Sequence, residues 1–340
     1  MTARKAERKN SRELNERQRK VLYCIVREYI EKKKPVSSQQ VLDVTNIEYS
    51  GATIRNDMKK LEHLGYIYQP HTSAGSIPTD KGLRFYFEEM LKLMKETSIP
   101  GTEVEVLRMI PLADPEKILT MIGSVLERAT KGYVVIEKPN LKNLRIVRVV
   151  LTPIAENYMV FSLLTELGVL KTTPMRVEEI PDWRRIEEHL NLVLRGHSVS
   201  EILEGKIEYF KGSQFLKLLE SIISETRESY IELGFENLLS DDTLDTEDIK
   251  GLLEFLSDKR NLKEFLEGSR GEIVVKIGKE IGRKRMEKFA VFSGWYYKDS
   301  TPIGAVHLFT SKITKYDTNF RVMEYVLNRL SEYFTTISRR

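Results

Sequence analysis

Apolar residues recur at helical spacing in successive stretches of the first 95 positions, and each recurrence is bracketed by residues that start or stop helices. Leu22, Ile25, Val26, Tyr29 and Ile30 follow Asn15, a good N-cap, and continue until the Lys32–Lys34 run and Pro35, which predicts a helix over about 16–33. Ser37 or Ser38 caps a short second helix through Val41, Leu42 and Val44, broken at Thr45-Asn46. Ser50 caps a third helix in which Ile54, Met58, Leu61 and Leu64 share one face, and Gly65 stands where a left-handed C-cap belongs. Tyr66–Gln69 then alternates like a short strand, and Pro70–Thr79 reads as a polar loop. Helix, helix, helix, strand and loop in that order predict a winged helix-turn-helix.

Thr79 caps a fourth helix through Leu83, Phe87, Met90, Leu91 and Met94, and Ser98-Ile99-Pro100-Gly101 marks a boundary after it. Asp114-Pro115 opens the next helix, through Ile118, Met121, Ile122 and Val125. Strand-like runs follow at Tyr133–Ile136, Ile146–Leu151, Tyr158–Thr165 and Val169–Val177. From about 182 to 267 the period is helical, with Ile186, Leu190, Val193 and Leu194, then Phe215, Leu218, Leu219, Ile222 and Ile223, then Leu252, Leu253, Phe255 and Leu256. Strands return at Ile273–Ile277, Phe289–Tyr297 and Ile303–Phe309, before a last helix through Phe320, Met323, Val326, Leu327, Leu330 and Phe334. The expected organisation is an α+β multidomain chain. It has a winged helix over 1–96, an α/β unit assembled from 104–180 and 270–340, and a mostly helical block inserted at 181–269.

The face of the third helix opposite its apolar stripe carries the chemistry. Advancing 100° per residue from Ile54 places Asn56, Lys59 and His63 opposite the stripe, flanked by Thr53, Arg55 and Lys60. In a major groove Asn56 can pair with adenine N6 and N7, Arg55 with guanine or a phosphate, and Thr53 with a base through its hydroxyl or methyl. Lys59 and Lys60 suit phosphates. Ser50 and Gly51 form the helix end nearest the DNA, and Gly51 has no side chain to hold it away. An ordinary solvated face would show the same wheel; the preceding helices, the strand and the loop favour DNA reading. The loop residues His71, Thr72, Ser73 and Gly75 are candidates for phosphate or minor-groove contact, although a plain polar loop looks similar.

Charge sharpens the picture. The whole chain has a formal net charge of +4, but residues 1–95 carry +7 and the remainder −3. Arg4, Lys5, Arg8, Lys9, Arg12, Arg17, Arg19 and Lys20 make the front of the chain either a polyanion-seeking arm or a solvated tail. No apolar run approaches the length of a membrane span and the N-terminus is charged, so the protein is expected in the cytoplasm. The single cysteine, Cys24, lies in a helical apolar pattern and is expected in the core.

Catalytic and metal chemistry find little support. His63, His71, His189, His197 and His307 are scattered without ligand spacing. Gly278–Gly282 matches neither a phosphate loop nor a dinucleotide motif and reads as a strand end or turn. The acidic stretch Asp241, Asp242, Asp245, Glu247 and Asp248 lacks a calcium loop's glycine and terminal glutamate, and Thr246 capping an acidic helix start explains it. No cofactor, metal or catalytic residue is expected. Phe292, Trp295, Tyr296 and Tyr297 either line a small-molecule pocket or alternate between core and surface.

The run Gly51-Ala52-Thr53-Ile54-Arg55-Asn56-Asp57-Met58, with Leu61-Glu62 and Leu64-Gly65-Tyr66, joined to Gln69-Pro70-His71-Thr72-Ser73-Ala74-Gly75 and Ile77-Pro78-Thr79, resembles the HrcA family of heat-shock repressors. The resemblance is strong over about 15–95 and looser beyond, where Leu190, Leu194 and Gly196 follow the family's helical pattern. It implies a winged helix, a GAF-like α/β domain and a dimerising domain inserted into it. It further implies a homodimeric repressor of chaperone operons that binds an inverted repeat in double-stranded DNA, with chaperonin assisting it into its active form. Two places depart from the family. Ser76 stands where relatives usually place a basic wing residue, and His307–Lys312 does not look like the Gly-Pro turn that follows Ile303–Val306 in relatives. The alternatives are a metabolite-gated transcriptional regulator sensing through the α/β domain, and an enzyme using its winged helix to bind a partner.

Overall fold

The computed structural model describes residues 14–45, 49–71, 75–94, 115–168, 170–176, 182–207, 219, 230–269 and 271–338. Helix α1 spans Glu16–Lys32, α2 Ser38–Thr45 and α3 Gly51–His63. Asn15 caps α1 in a capping box with Gln18, and Lys33 turns left-handed at φ 51° before Pro35. Two short strands, β1 (Ile67–Tyr68) and β2 (Ile77–Pro78), pair antiparallel as the base of the wing, and α4 (Asp80–Met94) leaves the unit. Val21, Leu22, Ile25, Ile54, Leu61 and Leu83 are fully buried together, so the period-3.6 stripes of these helices meet in one small core. Cys24 joins it, and burial pushes its thiol up to about 11.

The larger unit is built on a five-stranded sheet in which every neighbouring pair is antiparallel. Its members are β3 (Tyr133–Glu137), β7 (Tyr230–Leu233), β8 (Val274–Ile277), β9 (Phe289–Lys298) and β10 (Thr301–Ser311), in spatial order β7-β3-β10-β9-β8. The sheet is covered on both faces, so β3 reads as a continuous apolar run whose alternate residues enter different cores. Val134 and Ile136 pack under α5 (Pro115–Thr130), and α10 (Tyr316–Ile337) lies beside α5 over β9. Tyr133 and Val135 pack under α8 (Phe235–Leu239), α9 (Thr246–Leu256) and the 3-10 segment Lys259–Phe265.

Two features of this organisation differ from expectation. The strands β4 (Ile146–Ala155), β5 (Tyr158–Thr165) and β6 (Leu170–Arg176) do not join the five-stranded sheet. They form an antiparallel sheet of their own on which α6 (Trp183–Leu194) packs, followed by α7 (Val199–Leu203). Asn191 ties α6 to β4, accepting from Val149 N and donating to Val149 O, both at 2.8 Å. Conversely, residues 230–269 pack on the five-stranded sheet through β7, α8 and α9 instead of extending the insert. Strand pairing is long-range, and helical or alternating periodicity does not reveal which strands become neighbours.

One smaller expectation is corrected and two agree with the structure. The cap of α9 is Asp245, whose carboxylate accepts from Glu247 N and Asp248 N, and not Thr246, which is the first helical residue. Lys288 Nζ bridges Asp245 and Asp248 at 2.7 and 2.8 Å and, with those backbone donors, holds the Asp245 carboxyl down at about 2. Residues 307–311 contain no turn: β10 runs on, paired with β9 as far as Ser311 opposite Phe289. Gly278–Ile281 forms a 3-10 turn after β8, as its glycines suggest. Phe215, Leu218, Ile222, Ile223 and the 98–101 break lie outside the described residues.

No helix among the described residues is long and apolar enough to cross a membrane. The winged helix is docked on the larger unit through α4. Asp80 accepts from Lys279 N at 3.0 Å and from Lys312 Nζ at 2.6 Å, and Arg84 forks onto Glu280 while donating to the Val275 carbonyl. Phe87 packs between Tyr316 and Phe320 with ring centroids 5.8 Å from each.

Candidate nucleic-acid interface

Helix α3 is fixed from behind by its apolar stripe and by one buried carboxylate. Ile54, Met58 and Leu61 face the core, and between them Asp57 is only 4% exposed. Arg17 meets that carboxylate side-on, Nε to Oδ2 at 2.5 Å and Nη2 to Oδ1 at 3.2 Å, and Gln18 Nε2 adds a third bond at 3.2 Å. Because Gln18 also completes the α1 cap, the start of α1 and the middle of α3 are locked in one network. Sequence periodicity missed Asp57 as a tie. Its signal was an acidic side chain lying between Ile54 and Met58 on the inward side of the wheel.

At its leading end α3 is capped by Ser50, whose Oγ accepts from Thr53 N at 3.3 Å and lies 3.0 Å from Thr53 Oγ1. A Cβ on Gly51 would meet Leu42 Cδ1 at 3.5 Å, an ordinary contact, so the interior does not require glycine there. The uncapped N–H groups of this first turn and the positive end of the helix dipole make it receptive to anions.

The outward face is left free. Arg55, Asn56, Lys59, Lys60 and His63 are all exposed, and none of their side chains has a hydrogen bond or ion pair among the described residues. The cations of α1 behave differently. Arg17 is held by Asp57, Arg19 by Glu89, and Lys20 by Glu16 at 2.7 Å. Three of the eight residues assigned to a basic arm thus have acidic partners, Lys20 only in an exposed pair along its own helix, and Arg4, Lys5, Arg8, Lys9 and Arg12 lie outside the described residues.

The wing is anchored at its foot. A Cβ on Gly75 would stand 2.5 Å from the Val36 carbonyl carbon and 2.7 Å from that of Pro35, so glycine is demanded there by close backbone approach. Ser76 and Val36 exchange both backbone hydrogen bonds, at 2.9 and 2.8 Å, and Ser76 is buried. A long basic side chain in that conformation would have to leave the core, so a small residue suits the position. His71 is exposed, while Thr72 and Ser73 lie outside the described residues. Two aromatics not singled out from sequence flank the surface: Tyr68, placed outward by strand alternation from Ile67, and Tyr49, under the Arg17 guanidinium at 5.2 Å.

The other histidines and acids form no competing site. His307 is buried, its Nδ1 2.8 Å from Ser293 Oγ, and desolvation lowers its pKa to about 3, so it is neutral core. Among the described residues no three His, Cys, Asp or Glu side chains cluster as metal ligands. Of the aromatic run in β9, Phe292 and Tyr296 are fully buried, whereas Trp295 and Tyr297 are half-buried and line a cavity, so the run alternates between core and surface.

Comparison with known proteins extends the local resemblance to nearly the whole chain. Residues 13–88 match the family described as winged helix-turn-helix transcription repressor, HrcA DNA-binding, and residues 116–319 match the HrcA protein C terminal domain. The heat-inducible transcription repressor HrcA of Thermotoga maritima is 63% identical over 341 residues, covering 99% of this chain and all of the relative. That of a Thermoanaerobacter species is 30% identical, covering 86% of this chain and 89% of the relative. A crystal structure of a hypothetical protein at 2.2 Å resolution, 63% identical, superposes with a TM-score of 0.76 over 96% of this chain and 100% of its own. Winged helix, C-terminal unit and full-length relatives agree: the chain belongs to the HrcA family.

Proposed function

We propose that this protein is a heat-inducible transcription repressor, and not an enzyme, that binds an inverted-repeat operator of chaperone genes as a homodimer in the cytoplasm. The observation that carries the reading is the free outward face of α3, where Arg55, Asn56, Lys59 and Lys60 are exposed while Arg17 and Arg19 of α1 are held by acids of other elements. In this reading Asn56 and Arg55 contact base edges, Thr53 adds a hydroxyl or methyl contact, and Lys59 and Lys60 contact phosphates. Ser50 and Gly51 let the helix end approach the backbone. His71, Thr72 and Ser73 of the wing reach the adjacent groove, with Gly75 setting the angle at which the wing leaves the body.

Two chains presenting paired α3 helices match the symmetry of an inverted repeat. Apolar side chains exposed on the insert support self-association there: Leu192 is 81% exposed on α6, and Ile154 and Tyr158 stand out at the β4–β5 turn. We therefore centre the dimerising unit on residues 144–207, inserted into the α/β unit after β3. Regulation by chaperonin rests on family membership: a marginally stable active dimer is lost on heating and recovered with chaperonin help.

The test is a salt titration of binding to a heat-shock-promoter inverted repeat and to a scrambled duplex, with wild type and Asn56→Ala. Specific binding that falls to the scrambled level in the variant supports base reading by α3. Equal binding of wild type to both duplexes sinks the repressor reading.

A further inference from the structure

A cavity of about 640 Å³ opens where the helix leaving the winged helix meets the larger unit. Leu91 and Met94 of α4 form one wall, Trp295 and Tyr297 of β9 a second, and Phe320 of α10 a third. Small-molecule sites have this order of volume and favour such junctions. The aromatic walls are set in place by the fold. The Trp295 indole N–H donates to Ser269 Oγ at 3.2 Å, and Tyr297 N donates to Ser331 Oγ at 2.9 Å, which pins the strand to α10. Gly271, at φ 94°, lies against the Tyr297 hydroxyl, where a Cβ would come within 3.2 Å, so a side chain there would crowd the ring.

Charge selects the occupant. Glu272 and Glu324 line the cavity, both are exposed, and neither has a hydrogen bond or ion pair among the described residues. Arg321 is on the same rim and has an interaction of its own, so the lining carries two carboxylates against one guanidinium and its balance is acidic. Half-buried aromatic rings beneath unpaired carboxylates are the setting in which an organic cation is held, its apolar body on the rings and its ammonium between π faces and acid groups.

We propose that this cavity binds a small hydrophobic amine, its body between Trp295, Tyr297 and Phe320 and its ammonium at Glu272 and Glu324. Leu91 and Met94 belong to the helix that carries the winged helix, so an occupant touches both units and favours the arrangement that closes α4 over it. Binding goes beyond the operator reading and does not depend on it; only an effect of the amine on DNA affinity rests on that reading.

The test is calorimetric titration of the full chain, in phosphate buffer at pH 7, with phenethylamine, its neutral analogue 2-phenylethanol and its charge-inverted analogue 3-phenylpropionate. The expected result is single-site binding of the amine at least about tenfold tighter than the alcohol, with the carboxylate weakest. Glu272→Gln with Glu324→Gln, both exposed positions, is expected to bring the amine down to the affinity of the alcohol without shifting thermal unfolding. Trp295 fluorescence, followed in Trp183→Phe, should change on titration with the same midpoint. Equal affinity for amine and alcohol, amine binding retained by the double variant, or no binding up to about 10 mM overturns the proposal. A bound amine that leaves operator affinity unchanged keeps the site and removes the coupling, whereas failure of operator recognition leaves the calorimetry untouched.

Discussion

Helices α1 and α3 both carry cations within the same small unit, five on α1 and three on α3, yet they use them in opposite ways. On α1, Arg17 serves the buried carboxylate of Asp57, Arg19 serves Glu89 on α4, and Lys20 pairs along its own helix with Glu16. On α3, Arg55, Lys59 and Lys60 have no such partners among the described residues and project from the surface. A count of basic residues treats the two helices alike. What distinguishes Arg17 and Arg19 is that an acid from another element comes within reach, and that is decided when the helices pack.

The same contrast between groups consumed by the fold and groups left available can be broken at several points. The largest effect is expected at His307, which is 1% exposed and stays neutral down to about pH 3, whereas an unfolded histidine protonates near 6.5. Between those values the unfolded chain binds more protons than the folded one. Stability is therefore fully present above pH 6.5 and falls by about 1.4 kcal/mol per unit as pH drops toward 3. Thermal unfolding of His307→Gln should show a flatter pH dependence from 6.5 to 4.5 than wild type, and an unchanged slope would place the burial cost elsewhere.

Next comes Asp57→Ala, which strands Arg17 and Gln18. Urea unfolding should show a loss of about 2–3 kcal/mol. Its neighbour offers the sharpest comparison: Asn56→Ala should move stability by less than about 0.5 kcal/mol while costing about ten- to a hundredfold in discrimination between operator and scrambled duplex. If both substitutions acted mainly on stability, the outward face of α3 would be only a solvated surface. Lys59→Ala should lower affinity for both duplexes alike and reduce the salt-dependence slope by about 1. Smallest of all, Arg19→Ala should leave that slope unchanged and cost at most about 1 kcal/mol in stability, because its charge is already committed to Glu89.

The winged helix was legible in the sequence because its signals are local. Asn15, Ser50 and Gly65 act within one helical turn of themselves, and the stripe from Ile54 to Leu61 follows from a fixed rotation per residue. The candidate face of α3 was legible for the same reason, being whatever the stripe leaves outward. The role of Gly75 was not: a glycine in a polar loop looks like a turn, and only the approach of Pro35 and Val36 turns it into a packing requirement. Nor was the grouping of strands legible, because nothing within β4, β5 or β6 states that each pairs only inside that group of three.

By itself, then, the sequence determined which segments are helix or strand, where they start and stop, and which face of each seeks the interior, since these depend on neighbours a few residues away. Tertiary structure alone decided that β7 joins β3 across an insert of nearly a hundred residues, that Asp57 and not DNA claims Arg17, and that Leu91 and Met94 complete a cavity with Trp295 and Tyr297. Each of these brings together groups far apart in the chain, and the free energy that selects among such pairings comes from burying many side chains at once, which no local pattern encodes.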